Sequence, residues 1–359
     1  MILSTKLTEL LGIDFPIIQA GMAGGTTTPS LVSSVCNAGG LGTLGAGYMT
    51  PQQIREAIKE IRQLTNRPFA VNLFAPEPID EKAISNIESV NQVMKKFRDQ
   101  LGIVEPQITK YTESFEEQLE VVLEEKVPIF SFTFGIPSQE ILQELKRSQT
   151  IIIGTATTVN EAIELEARGV DAIVGQGSEA GGHRGTFDGK FEDSLIGTMA
   201  LIPQMVDHVK VPVIASGGIM DGRGVLASLA LGAAGVQMGT AFLTCPESGA
   251  HAEHKRSILS SNEQSTVLTR SFSGKPARGI KNKFISEMEP HAEIIPSYPV
   301  QNALTKDIRS AAGKQNQTEF LSLWAGQGVR LSKSKTAEEL VHDIVNQTLE
   351  LMGKIQSRN

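Results

Sequence analysis

The chain has 359 residues, 40% hydrophobic and 20% charged, which suits one large domain or two ordinary ones with a core that needs no disulfide or metal staple. A net charge of -7 without any basic stripe argues against nucleic acid as the main partner, and no run nears the ~20 apolar residues of a membrane helix. The two cysteines, Cys36 and Cys245, lie in apolar stretches and read as reduced core residues; with no apolar signal core after Met1, the expected compartment is the cytoplasm.

In chain order, Leu3 to Leu11 reads as a lead-in helix and Pro16 to Met22 as a first strand. Pro29 opens a helix to Asn37, at the position where proline is tolerated. A second strand covers Gly39 to Gly45, and Thr50 caps a helix carrying Ile54, Ile58 and Ile61. A third strand, Phe69 to Phe74, precedes a long interval, 76–126, where Ile84, Ile87, Val90 and Met94 suggest one helix and Phe115, Leu119, Val122 and Leu123 another. Loops at such places are usually short, so the interval is read as an elaboration over the site.

Strands follow at Val127 to Phe134, Thr150 to Ala156, Asp171 to Gly177, Val211 to Gly218 and Gly235 to Leu243, each separated from the next by a helix. Thr158 or Asn160 caps the helix that Gly169 stops. Eight short apolar strands alternating with helices predict a (β/α)8 barrel spanning 1–245, with a doubly wound sheet as the alternative. The alternation then stops. Segment 246–309 is read as a smaller lid or substrate segment, with Gly274 to Gly279 an irregular turn and Pro290 to Pro299 a linker or wall. Segment 310–359 is read as helices packing back on the barrel, including Thr318 to Trp324 and Ala337 to Met352.

Polar and glycine residues gather at the strand ends, which in a barrel share the face where chemistry occurs. After the sixth strand, Gly175 to Gly185 holds five glycines, Glu179, His183 and Arg184. Glycines permit positive φ and close approach of a flat ligand, and a histidine there is a proton carrier near neutral pH. Gly217 and Gly218 end the seventh strand; Gln237, Met238, Gly239 and Thr240 end the eighth. Two glycine turns at these positions point to a phosphate site. Gln19, Ala20, Gly21, Met22 and Asn72 are candidates to line a flat ring. No strand–GxGxxG–helix fingerprint is present, so flavin mononucleotide (FMN) fits better than a firmly bound nicotinamide dinucleotide.

Pro16 to Met22, Gly175 to His183, Ser216 to Ile219 and Gln237 to Thr240 together resemble the nitronate monooxygenases, formerly 2-nitropropane dioxygenases, in order and spacing over nearly the whole chain. The interval after the third strand and the segment around Tyr298 resemble the bacterial class I form. The resemblance implies an FMN-dependent barrel enzyme whose partners are a small nitronate, notably propionate 3-nitronate, and O2; the sequence leaves monomer and homodimer both open. It places FMN contacts on Asn72, Gln176, Gly181, Gly218 and Gln237 to Thr240, the active-site histidine on His183, and substrate-pocket residues on Tyr298 and Lys306. Asn302 stands where an aromatic is expected.

The competing enzyme readings are an FMN-dependent enoyl-acyl-carrier-protein reductase and an NADH:quinone reductase, which use a similar barrel. The bland readings are a solvated role for His208, His251, His254, His291 and His342, and a core role for Trp324. Glu179 is expected to cap the next turn or to pair with Arg184. His251 and His254 have the spacing of a metal pair but no evident third ligand, so no metal is expected.

Overall fold

The structure, a computed structural model, describes residues 3–357. Eight parallel strands form the barrel: β1 (Ile17–Gln19), β2 (Thr43–Gly45), β3 (Ala70–Phe74), β4 (Ile129–Thr133), β5 (Ile151–Ala156), β6 (Ala172–Gln176), β8 (Val213–Ser216) and β9 (Gly235–Met238). A two-residue strand, β7 (Gly182–His183), lies between β6 and β8 in the chain but outside the barrel. The sheet runs β1-β9-β8-β6-β5-β4-β3-β2. Between β1 and β2 the ring closes through one residue: Leu41 N–H donates to Ile17 O, and Gln19 N–H to Leu41 O, both at 2.9 Å.

Side chains alternate across each strand, so both faces must be buried. Ile18, Ala70, Ile129, Ile153, Val174 and Ile214 fill the interior, together with Leu7 and Leu11 of the helix Lys6–Leu11. That helix plugs the end where the strands begin, because the Thr5 hydroxyl donates to Ala234 O just before β9. The alternate positions, such as Ile17, Val71, Phe130, Ile152 and Ile173, pack on the outer helices. Those helices carry the expected local signals: Thr50 and Thr158 each close a capping box, and Gly169 ends its helix at φ 89°.

Two detours leave the barrel on the site side. After β3 the chain makes the helices Glu81–Ser85 and Ile87–Leu101, broken at Asn86, where a single helix was expected. The following helix, Phe115–Glu124, packs on β3 and on the helix Pro51–Leu64, so it belongs to the barrel wall rather than to the elaboration. The second detour follows β9. Its end is the helix Ala337–Gln356, which packs on Gly222–Ala230 and Pro29–Asn37 and so takes the place of the barrel's eighth helix. The two detours share one core, in which Val90, Met94 and Phe97 meet Phe272, Phe284 and Ile308. This layer is the lid.

The expected boundary at 309/310 falls inside the helix Lys306–Lys314, and lid residues continue through Phe320 and Val329. Gly235 to Leu243 is not one strand: β9 ends at Met238 and Thr240–Leu243 is helical. Instead of an irregular turn, Ala277–Ile280 forms strand β11, which pairs with β10 (Thr266–Thr269) and β7. Thr318 to Trp324 holds only a single 3-10 turn, Thr318–Phe320, and Pro290 to Pro299 begins as the 3-10 helix Glu289–Ile294. Among the described residues no helix is long and apolar enough to cross a membrane.

Candidate active site

At the strand C-termini, under the lid, lies a cavity of about 1240 Å³. Ala20, Gly21, Met22, Asn72, Gln176, Gly181 and His183 line it, as do Gly217, Gly218, Gln237, Met238, Gly239, Thr240 and Lys306. Two expected site residues do not. Gln19 is fully buried; its Oε1 accepts from Thr43 N–H at 3.1 Å and its Nε2 donates to Thr43 O at 3.2 Å. It braces β1 to β2 where the ring has least ladder, which leaves no polar atom for a ligand. Tyr298 stands one layer back, with its ring centroid 5.5 Å from Phe134 and 6.2 Å from His183.

On the β8–β9 side the wall is backbone. Gly217 and Gly218 have φ of 120° and 70°, a region that costs other residues roughly 1–2 kcal/mol each. No acceptor stands against the N–H groups of Gly218 and Gly239 among the described residues. Gly218 is exposed and Gly239 half-buried, both facing the cavity, so these free N–H groups are open to an anion or other acceptor entering it. Nearby, Asn72 Nδ2 donates to Ser131 Oγ at 2.9 Å, and the Gln176 amide pins its own loop, accepting from Gly185 N–H at 2.9 Å and donating to His183 O at 3.1 Å. Bare glycine surface, orphaned N–H groups and two fixed amides suit a phosphate-bearing group with a flat ring.

His183 is held by the lid. β7 pairs antiparallel with β11, His183 opposite Ala277 and Gly182 opposite Arg278. Arg278 Nε and Nη2 donate to Ser178 O at 3.2 and 3.1 Å. His183 Nε2 lies 2.8 Å from Ser273 Oγ, which also reaches Lys275 O at 3.1 Å. Ser273 has one hydroxyl proton for those two acceptors. When it goes to Lys275 O, His183 carries Nε2–H and its Nδ1 is the basic atom; when it goes to Nε2, Nδ1–H is a donor. Nδ1 itself has no protein partner among the described residues.

Burial, then the positive charges of Lys275 and Arg309, push the His183 pKa down to about 3. The imidazole is therefore neutral throughout the physiological range. Phe134 faces it at 5.6 Å between centroids and holds φ 80°, an uncommon conformation for a bulky residue. Trp324, expected in the core, is half-buried, lines the cavity and approaches the His183 ring to 5.4 Å.

Glu179 is structural. Both carboxylate oxygens accept from Thr198 N–H, at 2.9 and 3.0 Å, at the start of the helix Thr198–His208. Arg184 does not pair with it: its guanidinium donates to Gly177 O, Gln176 O and Ser194 O, fastening the glycine loop from beneath. His254, expected to be solvated, is buried, bonded to Trp324 O at 3.0 Å, and its pKa is pushed down to about 4, chiefly by burial. Burial likewise raises Cys36 to about 11 and Cys245 to about 12, as expected for inert core thiols. Sequence reasoning missed Ser273, Lys275, Phe134 and Arg309. Of these only Ser273, beside a glycine in a stretch without periodicity, carried any local signal.

The comparisons agree with this geometry. The family model described as nitronate monooxygenase matches residues 4–347. A probable nitronate monooxygenase of Staphylococcus aureus (strain Newman) is 50% identical over 350 residues, covering 97% of this chain and 98% of that protein. One of Staphylococcus saprophyticus is 48% identical over 360 residues, covering 99% and 100%. Among solved structures, nitroalkane oxidase from Streptomyces ansochromogenes superposes with a TM-score of 0.90 at 39% identity, covering 97% of this chain and 99% of that one. FabK from Thermotoga maritima gives 0.78 at 31% identity, covering 99% of each. The chain belongs to the nitronate monooxygenase family of oxidoreductase enzymes.

Proposed function

We propose that the protein is an FMN-dependent nitronate monooxygenase that uses O2 to oxidise alkyl nitronates, notably propionate 3-nitronate, to a carbonyl compound and nitrite or nitrate. The observation that carries this reading is a neutral histidine with a free Nδ1, set among cations, in the same cavity as a glycine wall with orphaned N–H donors. The flavin, when bound, supplies the redox chemistry that links the nitronate to O2.

Gly217, Gly218, Gly239 and Thr240 hold its phosphate; Ala20, Gly21, Met22, Asn72, Gln176, Gly181, Gln237 and Met238 border the rest of it. His183 presents Nδ1 to the nitro group, and Ser273 sets which tautomer does so. In the Nδ1–H tautomer the ring donates to a nitronate oxygen. As a base it is weak, because a pKa near 3 gives little drive for taking a carbon-bound proton. That favours substrates already ionised as nitronates over neutral nitroalkanes. Phe134, Tyr48 and Trp324 shield the reacting centre from water, and Lys306, exposed at the mouth, draws anions in.

The test is steady-state O2 uptake by the purified protein with propionate 3-nitronate, with nitrite and nitrate assayed in the product. Uptake that depends on nitronate and needs no NADH supports the reading. Oxidation of NADH with an enoyl thioester or quinone, and no uptake with nitronate, assigns the protein to the reductases instead.

A further inference from the structure

Of the cavity cations without a carboxylate partner among the described residues, Lys306 and Lys314 are exposed and Arg309 is half-buried. It sits on the helix Lys306–Lys314 and lines the cavity with His183, Tyr48 and Phe134. Its Nη2 donates to Asn302 O at 2.7 Å and to Asn302 Oδ1 at 3.0 Å, and its Nε to Thr305 Oγ1 at 3.2 Å. All three acceptors are neutral. Among the described residues Nη1 has no acceptor and the guanidinium has no ion-pair partner. The adjacent carboxylate, Asp307, bonds Arg98 through Oδ2 at 2.8 Å and acts on Arg309 only from beyond ion-pair distance, and Lys275 is committed to Glu77.

A charge taken out of water without a counter-ion is costly, and the cost disappears when an anion arrives beside it. Arg309 is also fixed before any ligand binds. Asn302, which stands where an aromatic was expected, supplies two of the three contacts that orient the fork. One of these is its backbone carbonyl and the other its side-chain Oδ1, so the amide adds a second anchor on Nη2 and helps to aim Nη1. A guanidinium held this way has only the two N–H groups of Nη1 left to give, which suits a single carboxylate. In the same cavity, the rings of Phe134 and Tyr48 offer a surface for a short carbon chain.

We propose that Arg309, clamped by Asn302, binds the carboxylate of a short nitro acid whose nitro end faces His183, and that it selects such acids over uncharged nitro compounds. This rests on the nitronate reading for the identity of the reacting end, but not for the anion site itself.

The test measures binding rather than turnover. Holoenzyme is titrated by calorimetry with 3-nitropropionate and with 1-nitropropane, in which a methyl replaces the carboxylate. R309M is expected to weaken 3-nitropropionate at least tenfold and to shift 1-nitropropane less than twofold; R309K falls between, and N302L, which keeps the charge but removes one of its three anchors, weakens the acid by a smaller factor of about two to five. Unaltered affinity for the acid in R309M, an equal loss for both ligands, or no binding of 3-nitropropionate by the unchanged protein overturns the proposal. If the binding pattern holds while the unchanged protein oxidises no nitronate, the anion site stands and the proposed activity falls.

Discussion

At the scale of single residues, the site combines a neutral base-or-donor with a surplus of positive charge. H183N removes the titrating ring and keeps a polar side chain. It is expected to lower kcat with nitronate about a hundredfold while leaving the bound-flavin spectrum in place. Because the ionisation of His183 is displaced to about 3, kcat/KM for the unchanged protein should show no enzyme ionisation between pH 5 and 8 that vanishes in H183N; one in the ordinary histidine range would contradict the assignment. His254 gives a stability prediction. Its folded pKa, about 4, lies below the ordinary 6.5, so between those values the unfolded chain takes a proton that the native chain refuses. Stability is full above about 6.5 and falls as the pH drops toward 4, by about 2 kcal/mol from this residue at pH 5. Urea unfolding at pH 7 and 5 should show the loss, and H254Q should reduce it. Neither effect was legible in the chain, where His254 stands between polar residues; its burial comes from Trp324, 70 positions away.

At the scale of elements, local signals were legible and non-local pairing was not. Thr50, Thr158 and Gly169 act through their immediate neighbours, so composition alone places them. Strand β11 contains Arg278 and Gly279 and has no apolar alternation; it is extended because β10 and β7 pair with it on either side. Arg309 was invisible for a related reason: a lysine- and arginine-bearing helix looks solvated until Asn302 and the cavity are set against it. The junction between glycine loop and lid is sharply dependent on Gly181. A Cβ there would lie 2.4 Å from Gly326 N and 2.5 Å from the Ala325 carbonyl carbon, both backbone atoms that cannot swing aside. G181A is therefore expected to push residues 325–326 off the loop, costing about 1–3 kcal/mol and most of the activity. Thermal unfolding and flavin retention check this; wild-type values for both would show that the lid does not bear on the loop as described.

At the scale of the whole molecule, eight strand–helix units were legible because each strand is a short buried apolar run closed by turn residues. The division of the remainder was not, because two stretches far apart in sequence build one lid and the barrel's eighth helix comes last in the chain. Leu340, Val341, Ile344 and Val345 of that helix are buried in the barrel's outer core. At about 1.5–3 kcal/mol for each such side chain, their loss rivals the whole stability of a typical protein. A chain ending before Ala337 is expected not to fold, although it retains every cavity residue; soluble material with a native circular dichroism spectrum would contradict the assignment of this helix to the barrel. The most direct test of the central claim is anaerobic mixing of the purified holoenzyme with propionate 3-nitronate, followed through the flavin absorbance. Prompt loss of the oxidised flavin band is expected with nitronate and none on the same timescale with NADH; bleaching by NADH alone, with the band untouched by nitronate, would contradict the assignment.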